Sequence, residues 1–136
     1  MTRFVDTNVF IRYLTGDDEA KAKASLVLFQ RLETGKESAL TSDAVIAEVV
    51  FILQSPRLYQ MGKERIRTLL EPIIWLRGLR LPNKSIYKRT FDLYCGTSIG
   101  FVDAYNAAYM ESHGITEVYS YDKDFDKVTG ITRLEP

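Results

Sequence analysis

A single cysteine, Cys95, stands among 136 residues, so no internal disulfide is possible and a reducing cytoplasm suits the chain. It closes the stretch Phe91-Asp92-Leu93-Tyr94-Cys95 at a helix end, where a small buried filler is expected. The sole histidine, His113, precedes Gly114 at another helix end and reads as a cap-region residue. With one of each, there is no His/Cys cluster of the kind that selects zinc. Long apolar runs are missing too, which excludes a bilayer-spanning helix. The segment from Met1 to Asp6 is already polar and strand-like, so no signal peptide is expected. Nor does charge of one sign dominate: 18 basic residues balance 18 acidic ones. Repeats, low-complexity tracts and linkers are absent, and one soluble domain over residues 1–136 is expected.

What is present is an alternation of short apolar strands with amphipathic helices. Arg3-Phe4-Val5 reads as a strand, and Asp6-Thr7-Asn8 supplies helix-capping residues directly after it. A second helix is expected from Asp18 to Leu32, with Ala22, Leu26 and Phe29 at helical spacing and Gly35 beyond its end. Ser38 to Thr41 is a brief strand. Ser42 then caps a helix from Asp43 to Leu53, which stops before Ser55-Pro56. A helix from Lys63 to Leu76 carries Pro72 near its end, and a strand follows at Leu79 to Leu81. Helices from Lys84 to Cys95 and from Phe101 to His113 precede strands at Val118 to Ser120 and Ile131 to Leu134. This order predicts an α/β fold in three layers, a central and mostly parallel sheet of about five strands flanked by helices.

Four carboxylates carry the chemical signal: Asp6, Glu48, Asp103 and Asp122, each inside an apolar segment or at the edge of one. Ionised carboxylates are costly to bury without a cation or hydrogen bonds, and a divalent metal is the simplest agent that makes several compatible. In an open parallel sheet, functional groups gather at the carboxyl ends of strands. Asp6 follows the first strand and Asp122 the fourth, while Asp103 belongs to the first turn of a helix. Glu48 has Ala44, Val45, Phe51 and Ile52 as helical neighbours, which predicts a glutamate set in an apolar stripe. Asn106 shares the face of Asp103 one turn on, placed for a metal-bound water or a phosphate. Each acid taken singly also has a structural explanation: Asp6 and Asp103 as helix-start residues, Asp122 as a turn residue, Glu48 as the partner of an arginine. Their coincidence favours a metal site.

Two other motifs fail. Asp122, Asp124 and Asp126 match the first three ligands of a calcium-binding EF-hand loop, but Lys127 replaces the required glycine and Arg133 the closing glutamate. Asp6-Thr7-Asn8 lacks the second aspartate of an aspartyl-phosphatase motif. Hard oxygen donors select magnesium or manganese. Removing the four acids from the balance leaves a mildly basic remainder, with Arg3, Arg12, Lys21, Lys23, Lys123 and Lys127 available near the chain's ends. That composition is compatible with an RNA backbone and equally with an ordinary solvated surface.

The order and spacing of Phe4-Val5-Asp6-Thr7-Asn8, Glu48, Phe101-Val102-Asp103-Ala104 and Ser120-Tyr121-Asp122-Lys123-Asp124-Phe125 resemble PIN-domain ribonucleases over nearly the whole chain. The nearest likeness is to the VapC-type toxins of prokaryotic toxin–antitoxin pairs. The resemblance implies that Asp6, Glu48, Asp103 and Asp122 form an acidic quartet binding Mg2+ or Mn2+. Asp124 is the alternative fourth ligand, and Thr7, Asn8, Asn106, Ser120 and Asp126 support the site. Ser120 stands where threonine is more usual and keeps the hydroxyl. It further implies an endoribonuclease in which metal-activated water attacks phosphorus in line, leaving a 3′-hydroxyl and a 5′-phosphate. A homodimer, a cognate antitoxin and a cytoplasmic location follow from the same likeness. Tyr59, Tyr87 and Tyr109 are the aromatics available to a dimer face or to the core. The competing functions are a PIN-type nuclease in RNA processing or DNA cleavage, and an inactive PIN interaction domain. Retention of all four acids weighs against the inactive domain.

Overall fold

The computed structural model describes residues 2–136, in which strands and helices alternate along the chain. Met1, the first residue of the expected domain, lies outside the described residues. The chain divides into two compact units, residues 1–84 and 85–136.

In the first unit, β1 (Arg3–Phe4) leads into α1 (Thr7–Thr15) and α2 (Glu19–Thr34). Then come β2 (Ala39–Leu40), α3 (Asp43–Gln54), α4 (Lys63–Ile74) and β3 (Leu79–Arg80). The strands pair in parallel in the order β1-β2-β3, with Arg3 opposite Ala39 and Ala39 opposite Leu79. Helix starts follow local chemistry. The Asp18 side chain accepts the Lys21 N–H at 3.1 Å, and the Ser42 hydroxyl accepts the Val45 N–H at 3.2 Å. The helix containing Pro72 continues two residues past it, to Ile74.

Two contacts tie this sheet to its surroundings. Gly78 donates its N–H to the Leu32 carbonyl at 2.7 Å, and an added Cβ there would lie 2.2 Å from the Glu37 carbonyl oxygen. Only glycine permits so close an approach. Past the strand ends, the buried Thr41 hydroxyl donates to the Val5 carbonyl at 2.9 Å, while the Val5 N–H donates to Leu40 at 2.8 Å. These bonds hold the residue before Asp6.

The second unit starts with a 3-10 turn whose residues, Lys84–Ile86, include its boundary, followed by α5 (Tyr87–Gly96) and α6 (Phe101–Ser112). The expected fifth helix thus begins with 3-10 rather than α geometry. β4 (Glu117–Tyr119), a 3-10 turn at Lys123–Lys127 and β5 (Thr132–Leu134) complete the chain. Tyr87, Phe91, Tyr94 and Phe101 form an aromatic core with ring centroids 5.4 to 6.5 Å apart. Burial of such rings, with edge and tilted contacts, dominates the packing of a unit this small. Tyr87 is therefore a core residue, while Tyr109 is exposed and Tyr59 half-buried.

Five strands are found among the described residues, the number the sequence predicts, and every pairing among them is parallel. They form a three-stranded sheet and a two-stranded sheet, β4-β5. Each strand contributes two or three residues before the chain turns away, so the ladders are short. Cys95 is half-buried, more accessible than the expected filler. Among the described residues, no helix is long and apolar enough to cross a membrane.

Candidate active site

Asp6 occupies the N-cap position of α1 in extended conformation, yet its side chain makes no capping hydrogen bond. The exposed carboxylate has no protein partner among the described residues, so capping does not occupy it. The next residue, Thr7, is buried and donates its hydroxyl to Glu48 Oε2 at 3.0 Å. This bond fixes the glutamate relative to the end of β1 across 41 residues of sequence.

Glu48 itself corrects an expectation. The core face of α3 consists of Val45, Ile46, Val49, Val50 and Leu53. Glu48 lies on the open face with Ala44 and with Phe51, which is 67% exposed. Alanine and phenylalanine beside it gave an apolar stripe in sequence, but that stripe is not the buried one. Asp6 and Asp122 are exposed as well, and only Asp103 is half-buried. Burial cost therefore does not explain the four acids.

Crowding explains part of the set. Carboxylate oxygens of Asp103, Asp122 and Asp124 all lie within 4.8 Å of one another. Asp103 comes from the first turn of α6, and the other two from the turn after β4. Local hydrogen bonds shape that turn. The Ser120 hydroxyl accepts the Asp122 N–H at 2.9 Å, and Asp122 Oδ1 accepts the Asp124 N–H at 2.9 Å. Burial raises the Asp103 carboxyl above its ordinary range, and the negative charges of Asp122 and Asp124, with a hydrogen bond that the protonated carboxyl can donate to Asp122, add to it. Three hard oxygen donors at this separation suit a divalent cation such as Mg2+ or Mn2+, whose charge would relieve the repulsion.

The remaining candidates are placed as follows. Asp124 also binds Lys127 Nζ at 2.9 Å. Asp126, two residues on, is not part of that cluster and forms an ion pair with Arg133 at 3.1 Å. Asn106 and Ser120 line a cavity with Asp103 and Asp122. Asn8 lines a separate pocket with Arg12 and Lys21. The basic residues expected to serve RNA are largely engaged: Arg3 with Glu37, Arg12 with Asp17, Lys21 with Asp18, Lys23 with Glu19. Charge counting missed these pairs because the acids lie next to the bases in sequence or across the fold. It also missed Tyr119, which ends β4 beside Ser120 and lines the cavity. The available signal was its adjacency to Ser120-Tyr121-Asp122.

The family model of the PIN domain matches residues 3–131. The chain belongs to the PIN domain family. The six α-helices and parallel strand pairings of the described residues give the α/β class expected for a PIN domain. A VapC ribonuclease from Aquifex aeolicus (strain VF5) is 25% identical over 134 residues, spanning 98% of this chain and 96% of that protein.

Proposed function

We propose that the chain is a divalent-metal-dependent endoribonuclease of VapC type, acting as one PIN domain and serving as the toxin of a toxin–antitoxin pair. The observation that carries the metal dependence is the carboxylate cluster of Asp103, Asp122 and Asp124, whose repulsion a cation relieves. Membership of the PIN domain family and the likeness to a VapC ribonuclease support the nuclease activity.

Asp6, Glu48, Asp103 and Asp122 are the proposed ligands, with Asp124 beside them. A bound Mg2+ or Mn2+ supplies Lewis-acid charge at the scissile phosphate and an acidified water. The carboxylates hold the cation and take up the proton released on attack. Ser120 keeps the Asp122 turn in shape, and Thr7 limits the rotamers of Glu48. Neutralisation by a cognate antitoxin, a homodimeric state and a cytoplasmic location complete the proposal, on the strength of the VapC likeness.

The test is RNA cleavage with Mg2+ or Mn2+ by the parent, Asp6→Asn and Asp103→Asn. Both variants should lose at least about a hundredfold in rate, since each removes ligand charge worth several kcal/mol at the transition state. Both should keep the parent's circular dichroism. Asp122→Asn should cost more activity than Asp126→Asn, because Asp126 is committed to Arg133. Cleavage persisting in excess chelator, or unchanged in Asp6→Asn, would sink the proposal.

A further inference from the structure

A cavity of about 480 Å³ opens directly beside the acid cluster, within residues 85–136, and shares Asp103 and Asp122 with it. Its other walls carry Asn106, Tyr109 and Tyr119. The volume is in the range of pockets that take small ligands. What such a pocket admits depends on the chemistry of its walls, and these are acidic and aromatic.

Tyr119 is the notable wall. It is 75% exposed, and its side chain has neither a ring partner nor a hydrogen bond among the described residues. Tyr109, by contrast, is stacked on His113 with centroids 4.3 Å apart and on Tyr105 at 6.3 Å, so its ring is already braced. Asn106 lies one turn from Asp103 on α6, exposed, with no protein partner for its amide among the described residues. That amide offers donors and an acceptor together. Positive charge is scarce here, because Lys127 is bound to Asp124. The walls beyond the proposed metal ligands, Asn106, Tyr109 and Tyr119, carry no positive charge to hold a phosphate, whereas a neutral flat ring with polar edges suits them.

We propose that this cavity is a nucleobase subsite. The base of the nucleotide adjoining the scissile phosphate stacks on Tyr119, and Asn106 hydrogen-bonds its edge. The proposal rests on the ribonuclease reading above and deepens it, because only an unpaired base can be splayed out onto a side chain. The substrate class is accordingly single-stranded or looped RNA rather than duplex. Stacking on Tyr119 is tolerant of base identity, so sequence preference at this position comes from Asn106.

The experiment measures binding of a labelled single-stranded RNA by anisotropy, in an Asp6→Asn background with Mn2+ present, so that the strand stays intact. Tyr119→Ala should weaken binding roughly 5- to 100-fold, as for loss of one stacked base. Tyr119→Phe should restore it, since the ring alone is needed. Asn106→Ala should narrow the affinity differences among strands that vary at one base. Tyr121→Ala is the internal control, because Tyr121 is 71% exposed but does not line the cavity, and it should bind as the parent does. A blunt duplex should bind weakly to every variant.

Unchanged affinity in Tyr119→Ala overturns the subsite, and so does an equal loss in Tyr121→Ala. A change in oligomeric state on Tyr119→Ala with RNA affinity intact assigns the ring to a protein contact and also overturns it. Cleavage by the parent separates the two levels of the argument. A parent that cleaves RNA without any dependence on Tyr119 removes the subsite alone. A parent that neither cleaves nor binds single strands removes the ribonuclease reading with it.

Discussion

The acids of residues 1–84 and those of residues 85–136 are held in opposite ways. Asp6 stands at a strand end with an open carboxylate, and Glu48 is steadied by one hydroxyl on an exposed helix face. Asp103, Asp122 and Asp124 instead crowd within 4.8 Å, and the Asp103 carboxyl is raised by burial and by its neighbours. Carboxylates that stand apart in solvent repel one another little, whereas the crowded, half-buried Asp103 carries both a burial cost and the repulsion of its neighbours. Changes in the first unit should therefore register through the scaffold and through activity, whereas changes in the second should register in metal-free stability and its pH dependence.

The largest effect should come from breaking the scaffold under Asp6. Thr41 is buried, and its hydroxyl is bonded to the Val5 carbonyl. Thr41→Val keeps the shape and removes that bond, at a cost of about 1–3 kcal/mol for a buried acceptor that loses a partner. Thermal melting should show a drop of several degrees, with cleavage falling further because the residue next to Asp6 is released. A melting temperature equal to the parent's would mean that the strand ladder alone positions Asp6.

A smaller effect, of the opposite sign, is expected in the crowded cluster. The folded carboxyl of Asp103 lies above the ordinary aspartate range, so the folded chain holds this proton more tightly than the unfolded chain does. The resulting stability is complete below the unfolded value and is lost as pH rises through the folded one. Above that window, in chelator, the ionised group is a net cost. Asp103→Asn should then melt slightly higher than the parent at neutral pH, with the gap closing in acid. Mn2+ should reverse the order by stabilising the parent alone. A variant that melts clearly lower at neutral pH without metal would mean that Asp103 serves the helix start instead.

The same contrast governs what could be read before the structure. Strand and helix order was legible because capping residues and helical spacing act locally: Ser42, Asp18 and Gly35 sit where their chemistry requires. The chemical identity of the acids was legible too, since Asp103, Asp122 and Asp124 occur in two short motifs. The environment of Glu48 was not, because Ala44 and Phe51 look apolar in sequence and only packing shows which stripe of α3 is buried. Pairing of the cations was hidden for the same reason, as Arg3 finds Glu37 across 34 residues. Nor does composition show that Tyr87 belongs to the core while Tyr119 stands open.

The finest test of the contrast is Thr7→Val. The Thr7 side chain is buried, but its partner Glu48 is exposed, so water can replace the lost bond at the carboxylate. The stability cost should stay below about 1 kcal/mol, well under that of Thr41→Val. Activity should fall roughly tenfold, since removing a partner that orients a ligand leaves the ligand present but loose. Comparing the melting temperature with kcat/KM separates the two roles. A loss of stability as large as that of Thr41→Val, with kcat/KM preserved in the folded fraction, would make the Thr7 hydroxyl a structural bond and leave Glu48 without its positioning residue.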